Sequence, residues 1–493
     1  MKKSIVYLLV LFCFVSVHAQ TEKEKVVETV NKNTIQGHIY FLADDLLKGR
    51  ETGTDENKIA ASYLANTLRS YGVKPNPLTG DYYQKIELRK VNPPKRVNLT
   101  WGDTEIKRKV VVEASKMSFT GDAVYLGYGT EEDFAGKNLT KKIVIVKGGA
   151  PGKDDARSAF RMRKAKSERA KAAGALAVVE LVQANKETWG FIQHNFDQPR
   201  IELSEGKISN IGKVGGLGYL WVQDEYGAYA NDFKAGNKQI KLRMGGASST
   251  PVTTNNVIGV IEGTDPQLKN EYIIYSAHYD HVGIGDPDKT GDRIYNGARD
   301  NAVGTTTVLS MAQNLAKYPT KRSALFILFT GEEKGLLGSK YYVENPVIPL
   351  NQMVYCFNSD NGGYNDTSLA TIVGLNRTTA ASNITSAAKV FELTAIDDPA
   401  PEQGLFDRSD NVNFAAKGIP APTFSMGFTS FDGEVTKYYH RPGDHADNMD
   451  YDYLEKFFRA YVMAGRNIAN DPETPFWTKG DKYEMAGKKL YRK

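Results

Sequence analysis

YIIYSAHYDHVG (272–283), YNGARDNAVGT (295–305) and ALFILFTGEE (324–333) follow one another closely, and their reading decides the fold. Each segment ends an apolar run or opens a helical one, and each leaves a metal-binding or acid–base side chain at the junction. YIIYSA is a β-type run that delivers His278, Asp280 and His281. Asp300 and Asn301 open a helix whose apolar positions are Ala302, Val308, Leu309, Ala312 and Leu315. ALFILFT is a second buried-strand run, and it delivers Glu332 and Glu333. Strands alternating with helices predict a parallel α/β sheet, with ligands at the carboxyl ends of the strands.

The alternation continues downstream. Helices are expected over 336–344, 379–391 and 451–469, with strands over 353–358 and 421–426. Upstream, Thr34 is a candidate N-cap for a helix carrying Ile35, Ile39, Leu42 and Leu46 on one face and ending near Gly49. A loop, 49–57, leads to a second amphipathic helix over 59–71, stopped by Gly72 and Pro75. Between these regions the pattern changes to short β-type runs (123–128, 143–146, 175–182) separated by glycine-rich turns. A basic segment, 153–173, reads as a helix with a small apolar stripe of Ala159, Met162, Ala165 and Ala172, its Lys and Arg forming a solvated face. A polar link, 247–256, marks the return to the α/β pattern. The middle module is therefore an insertion into one α/β domain.

Composition narrows the function classes. Lys2 and Lys3, an apolar run over 5–17 and the small residue Ala19 predict a secretory signal peptide over 1–19, hence a secreted or periplasmic protein. No later stretch is apolar and long enough for stable membrane insertion. Removal of 1–19 lowers the formal charge from +5 to +3, too weak a bias to predict a nucleic-acid partner. Cys356 is then the one cysteine left, so no internal disulfide staples the chain. The oligomeric state is not encoded in any visible pattern.

Histidine is scarce, seven in 493 residues, and four of the seven (278, 281, 440, 445) fall in two short motifs with acidic neighbours. A divalent metal such as zinc takes imidazole and carboxylate ligands. His278, Asp300, Glu333, Asp360 and His440 supply five, Asp360 at another strand end in FNSDNGG and His440 in the loop KYYHRPGD. Two dications carry four positive charges and Asp300, Asp360 and Glu333 return three, a balance suited to an activated water as nucleophile. Glu332 and Glu333 are adjacent, so one can bind metal while the other reaches the water as general base. Asp280, two residues beyond His278 on an extended chain, suits the orienting of that imidazole.

AHYDH, DNAVG, FTGEEKGLLGS, NSD and YYH together resemble the zinc aminopeptidase and glutamate carboxypeptidase family of co-catalytic metallopeptidases, and HIYFLADDLLKGRETGT resembles that family's first helix. The resemblance implies a mixed, mostly parallel sheet flanked by helices, and two Zn2+ ions per chain. His278 and Asp360 would hold one zinc, Glu333 and His440 the other, with Asp300 bridging and Glu332 as the base. Tyr439 matches a tyrosine that hydrogen-bonds the oxyanion in some members. VYLGYG, KKIVIVKGG and AGALAVVEL resemble the β-rich protease-associated domain that many members carry. The expected divisions are a catalytic domain over 20–103 and 248–475, the inserted domain over 104–247 and a C-terminal tail over 476–493. Asn411 stands where many relatives have a histidine that is not usually a ligand.

The substrate is expected to be a peptide or protein. An exopeptidase must capture a terminal charge, and Arg377, Arg408 and Arg441 are scattered rather than clustered, so aminopeptidase action is expected ahead of carboxypeptidase or dipeptidase action. Arg408 either faces the substrate or joins a surface salt bridge. A metal-free, receptor-like binding protein is the competing class, and the completeness of the ligand set argues against it.

Overall fold

A computed structural model describes residues 20–204, 216–234 and 239–492. The expected signal peptide lies outside the described residues. The described residues form two compact units, one within 1–84 and 255–493, the other within 85–254. The expected boundaries lay at 103/104 and 247/248. The observed breaks, 84/85 and 254/255, fall inside the strands Tyr83–Asn92 and Ser248–Ile261.

In the first unit the sheet order is Thr394–Asp397, Leu369–Val373, Thr423–Met426, Met353–Ser359, Tyr272–His278, Ser323–Phe329 and then 257–261. The four strands from Thr423–Met426 to Ser323–Phe329 are mutually parallel, and antiparallel partners flank them. The sheet is thus mixed with a parallel centre, as the resemblance implied. Successive residues enter two different cores: Ile273, Tyr275 and Ala277 pack on one face, Ile274 on the other. Burial on both faces is why these strands are continuous apolar runs rather than alternating ones.

Helices Lys32–Leu42, Asp55–Ser70, Gly304–Lys317, Ala381–Val390 and Tyr451–Asn470 bury residues in the first core. Helix Lys32–Leu42 is capped by Asn31, not Thr34: the Asn31 Oδ1 accepts the Thr34 amide at 3.0 Å. Leu46 lies beyond that helix and is 81 % exposed. The second helix begins at Asp55 on the Thr54 cap, inside the expected loop. The segment expected as a tail is part of this unit. Trp477 is buried and donates to the Gly418 carbonyl at 2.9 Å, and helix Glu484–Tyr491 places the Tyr491 hydroxyl on the Met353 carbonyl at 2.5 Å.

The second unit holds an 8-stranded sheet whose centre, Met117–Tyr125, Ile143–Lys147, Ala177–Val182 and Gly218–Gln223, is parallel. Helix Ala156–Ala172 departs from its expected stripe: Ala172 is exposed and Lys166 is buried. Lys166 Nζ meets Glu180 at 2.5 Å, and Glu180 also accepts from Tyr219 and Trp221 at 2.7 Å each. An ion pair this deep is tolerated because its remaining hydrogen-bonding capacity is filled. Among the described residues no helix is long and apolar enough to cross a membrane.

Candidate metal centre

The carboxyl ends of three parallel strands deliver the site. Tyr272–His278 ends on His278, Ser323–Phe329 runs into Glu332 and Glu333, and Met353–Ser359 into Asp360. Asp300 sits on a distorted turn, Ala298–Val303, ahead of helix Gly304–Lys317 rather than on the helix itself. Its φ of −112° and ψ of 90° are extended, and the Asp300–Asn301 peptide is cis. Asn301 ties that turn to the neighbouring strand end, its amide donating to the Ser359 carbonyl at 2.9 Å and its oxygen accepting the Gly304 amide at 3.0 Å. His440 arrives on a loop with a positive φ of 51°.

The five expected ligands converge in two groups that share Asp300. His278 Nε2 lies 3.4 Å from Asp300 Oδ1 and 3.3 Å from Asp360 Oδ1. His440 Nε2 lies 3.2 Å from Asp300 Oδ2 and 3.1 Å from Glu333 Oε2. The two oxygens of one carboxylate thus face two different ligand sets. Ligand atoms about 2.1 Å from a tetrahedral ion stand about 3.4 Å from one another, close to these separations. His440 Nε2 is buried near two carboxylates yet aligned for a hydrogen bond with neither, as a metal-directed lone pair would be. The residues present therefore fit two divalent ions.

One member of the second group had no role in the sequence reading. His281 is fully buried, with Nδ1 2.8 Å from Glu333 Oε1 and 4.0 Å from Asp300 Oδ2, while its Nε2 lacks a partner. Its position three residues after His278 in HYDH was the available signal. The ring is pressed against Gly297, whose φ is 62° and where a Cβ would come within 2.6 Å of the imidazole. His445, the fourth motif histidine, instead faces Asp292 at 3.5 Å and belongs to neither group.

Asp280 acts differently from expectation. The His278 Nδ1 meets the Asp280 main-chain carbonyl at 3.2 Å, with the carboxylate 3.9 Å away. That carboxylate accepts instead from Thr52 Oγ1 at 2.7 Å and from the amides of Glu332 and Glu333 at 3.2 and 3.4 Å. It fixes the backbone of the Glu pair rather than the imidazole. Asp444 plays a similar part for Asp300. Its carboxylate accepts the Arg299 amide at 2.9 Å, the Asp300 amide at 3.2 Å and Arg299 Nη1 at 3.0 Å. Arg50, fully buried, donates to the carbonyls of Leu42, Tyr279, Asn296 and Gly297, which flank His278 and Asp300.

The electrostatics follow from packing acids and imidazoles together. Burial alone would discharge His440, but Asp300 and Glu333 against it outweigh that and raise its pKa to about 10. His278 is likewise raised, burial being overcome by Asp360, Glu332 and Asp300. Glu333 is held down to about 2: burial and the Asp300 charge push it up, and His281 and His440 pull it further down. Glu332 goes the other way, raised well above the usual carboxyl range by burial and by Asp360 and Glu333, with His278 opposing. Neighbouring carboxyls with divergent proton affinity in one pocket mark an acid–base pair with different duties.

These groups open into a cavity of about 110 Å³. Its lining includes the apolar Val373, Leu405, Phe428, Phe431 and Val435, and Tyr439 and Arg408 also line it. The Tyr439 ring stacks on His440 with centroids 4.0 Å apart. Its phenol is pushed up by burial and by the Asp300 and Glu333 charges, with Arg408 opposing.

Residues 256–464, which contain every ligand named above, match Peptidase family M28. The chain is accordingly a hydrolase. Aminopeptidase YwaD of Bacillus subtilis is 25 % identical over 421 residues, 83 % of this chain and 78 % of that protein. A probable leucine aminopeptidase 2 of Aspergillus oryzae is 24 % identical over 396 residues, 75 % of this chain and 71 % of that protein. The solved aminopeptidase from Aneurinibacillus sp. strain AM-1 shares the fold at a TM-score of 0.63 and 22 % identity, covering 92 % of this chain and 97 % of that one. The matched segment begins after Arg50 and Thr52, so the match does not include all the residues that hold the site.

Proposed function

We propose that the protein is an exported zinc aminopeptidase that binds two Zn2+ ions and removes residues from the free amino end of peptides. The observation that carries this is the shared carboxylate of Asp300, set between His278–Asp360 on one side and His440–Glu333 on the other. Aminopeptidase action is carried over from the similar proteins of Bacillus and Aspergillus.

His278 and Asp360 would hold one ion, Glu333 and His440 the other, Asp300 both. Bound there, the ions supply an acidified water and polarise the scissile carbonyl. Glu332 takes the proton from the attacking water and returns it to the leaving amine. Asp280 keeps Glu332 and Glu333 in register through their amides. Tyr439, protonated because its phenol is pushed up, presents a hydroxyl to the oxyanion. We further propose that 1–19 is a cleaved leader, and that unit 85–254 is a protease-associated domain.

The test is metal content of the purified chain together with hydrolysis of leucyl-anilide and of its N-acetylated form. Two zinc ions per chain and cleavage of the free amine alone are expected. Equal cleavage of the blocked substrate would overturn the aminopeptidase reading, and a fully loaded protein without turnover on any peptide would overturn the enzymatic one.

A further inference from the structure

Arg408 is an exposed cation on the lining of the catalytic cavity. Among the described residues its side chain makes no ion pair or hydrogen bond, and its one ring neighbour is Phe431, its ring centroid 5.9 Å from the guanidinium carbon. Its chemical neighbour, Asp407, is committed elsewhere: both carboxylate oxygens take Lys482 Nζ at 2.8 Å. Of the acids lining the cavity, Asp300, Asp360 and Glu333 belong to the two ligand groups, and Glu332 is the proposed base. The other scattered arginine of this region shows the contrast, for Arg377 is clasped by both oxygens of Asp481 at 2.7 and 3.0 Å.

The base from which Arg408 springs is rigid. Ser409 is buried and accepts from Asn358 Nδ2 at 2.9 Å, and buried Asp410 takes the Ser339 hydroxyl. The same cavity is lined by the apolar side chains of Val373, Leu405, Phe428, Phe431 and Val435. A lining of that kind receives methylenes, and a guanidinium on the same cavity receives a carboxylate through paired N–H donors.

We infer that Arg408 binds a carboxylate of the peptide substrate, carried on an apolar stem, and so makes the enzyme favour anionic substrates. This deepens the aminopeptidase reading and rests on it. The carboxylate has two possible sources, the side chain of an N-terminal glutamyl residue or the C-terminal group of a short peptide.

The experiment uses the full-length, zinc-loaded protein and its Arg408→Gln and Arg408→Lys variants. Four substrates are compared: glutamyl-anilide, leucyl-anilide, Leu-Leu and Leu-Leu-amide. In Arg408→Gln the glutamyl-to-leucyl ratio of kcat/KM should fall about 10- to 100-fold, mostly through KM, if the side chain is bound. The same fall in the Leu-Leu to Leu-Leu-amide ratio would instead place the peptide's C-terminal carboxylate on Arg408. Arg408→Lys should restore part of the affected ratio, and added salt should erode it in the wild type, because the cation is exposed. Both ratios unchanged in Arg408→Gln would overturn the inference while leaving the aminopeptidase reading intact. A wild type that cleaves neither anilide would overturn the aminopeptidase reading itself.

Discussion

Replacing Asp444 by alanine tests whether the ligands are held by the shell behind them. Its buried carboxylate gathers the Arg299 and Asp300 amides and the Arg299 guanidinium, all within 3.2 Å. Removing one partner of a buried ion pair costs about 3–5 kcal/mol. Arg299 keeps Asn448 as an acceptor through its side chain at 2.6 Å and its carbonyl at 2.8 Å, so the lower end, about 3 kcal/mol, is expected. For a unit of this size that is a fall of roughly 5 °C in Tm. The Asp300 amide loses its acceptor as well, which frees the shared carboxylate to turn, and metal affinity should drop about 10- to 100-fold. Calorimetry of the metal-free protein reads the first effect and chelator competition for zinc the second. Asp444→Asn, which keeps an acceptor but no charge, should fall between wild type and alanine. Unchanged zinc affinity in Asp444→Ala would refute the argument that this loop positions Asp300.

Three other perturbations separate the remaining roles. Glu332→Gln should keep both metals and lose about 10²- to 10⁴-fold in kcat; a variant that turns over normally would remove Glu332 as the base. Asp300→Ala should lose both ions in a metal assay, and retention of two would contradict the bridging position. His38 lies buried between the hydroxyls of Tyr63 and Tyr71, at 2.7 and 2.9 Å, and burial lowers its pKa to about 4. The unfolded chain therefore takes up this proton first, and stability falls as pH drops from about 6.5 to about 4, by about 3 kcal/mol in all. Urea melts over that range should show wild type and His38→Gln converging as pH falls. Parallel curves would refute it.

What could be read in advance was what one residue type at one strand end reveals. His278, Glu332, Glu333 and Asp360 each close an apolar run, and the central strands are apolar throughout because both faces are covered. Local chemistry was less decisive where two residues compete. Asn31 and Thr34 are both cap formers, and only the packed helix decides for Asn31. Leu46 continues the helical spacing on paper, but the chain has left the helix by then. The supporting residues were the least visible. Arg50 reaches the Tyr279 and Gly297 carbonyls, and backbone carbonyls carry no sequence signature. Asp280 had the right neighbour but the wrong atom, since its main-chain oxygen meets His278 while its carboxylate serves the Glu pair.

The Arg50 clasp has a consequence for how the protein is made. Its guanidinium must find carbonyls at positions 279, 296 and 297, the first of them 229 residues later in the chain. At a ribosomal pace of about 5–20 residues per second, the early helices wait roughly 10–50 s for the segment that completes them. The intervening 85–254 unit has its own sheet and cores and can condense during that delay. A fragment starting at residue 256 would emerge with every ligand and without the cation that gathers their backbone.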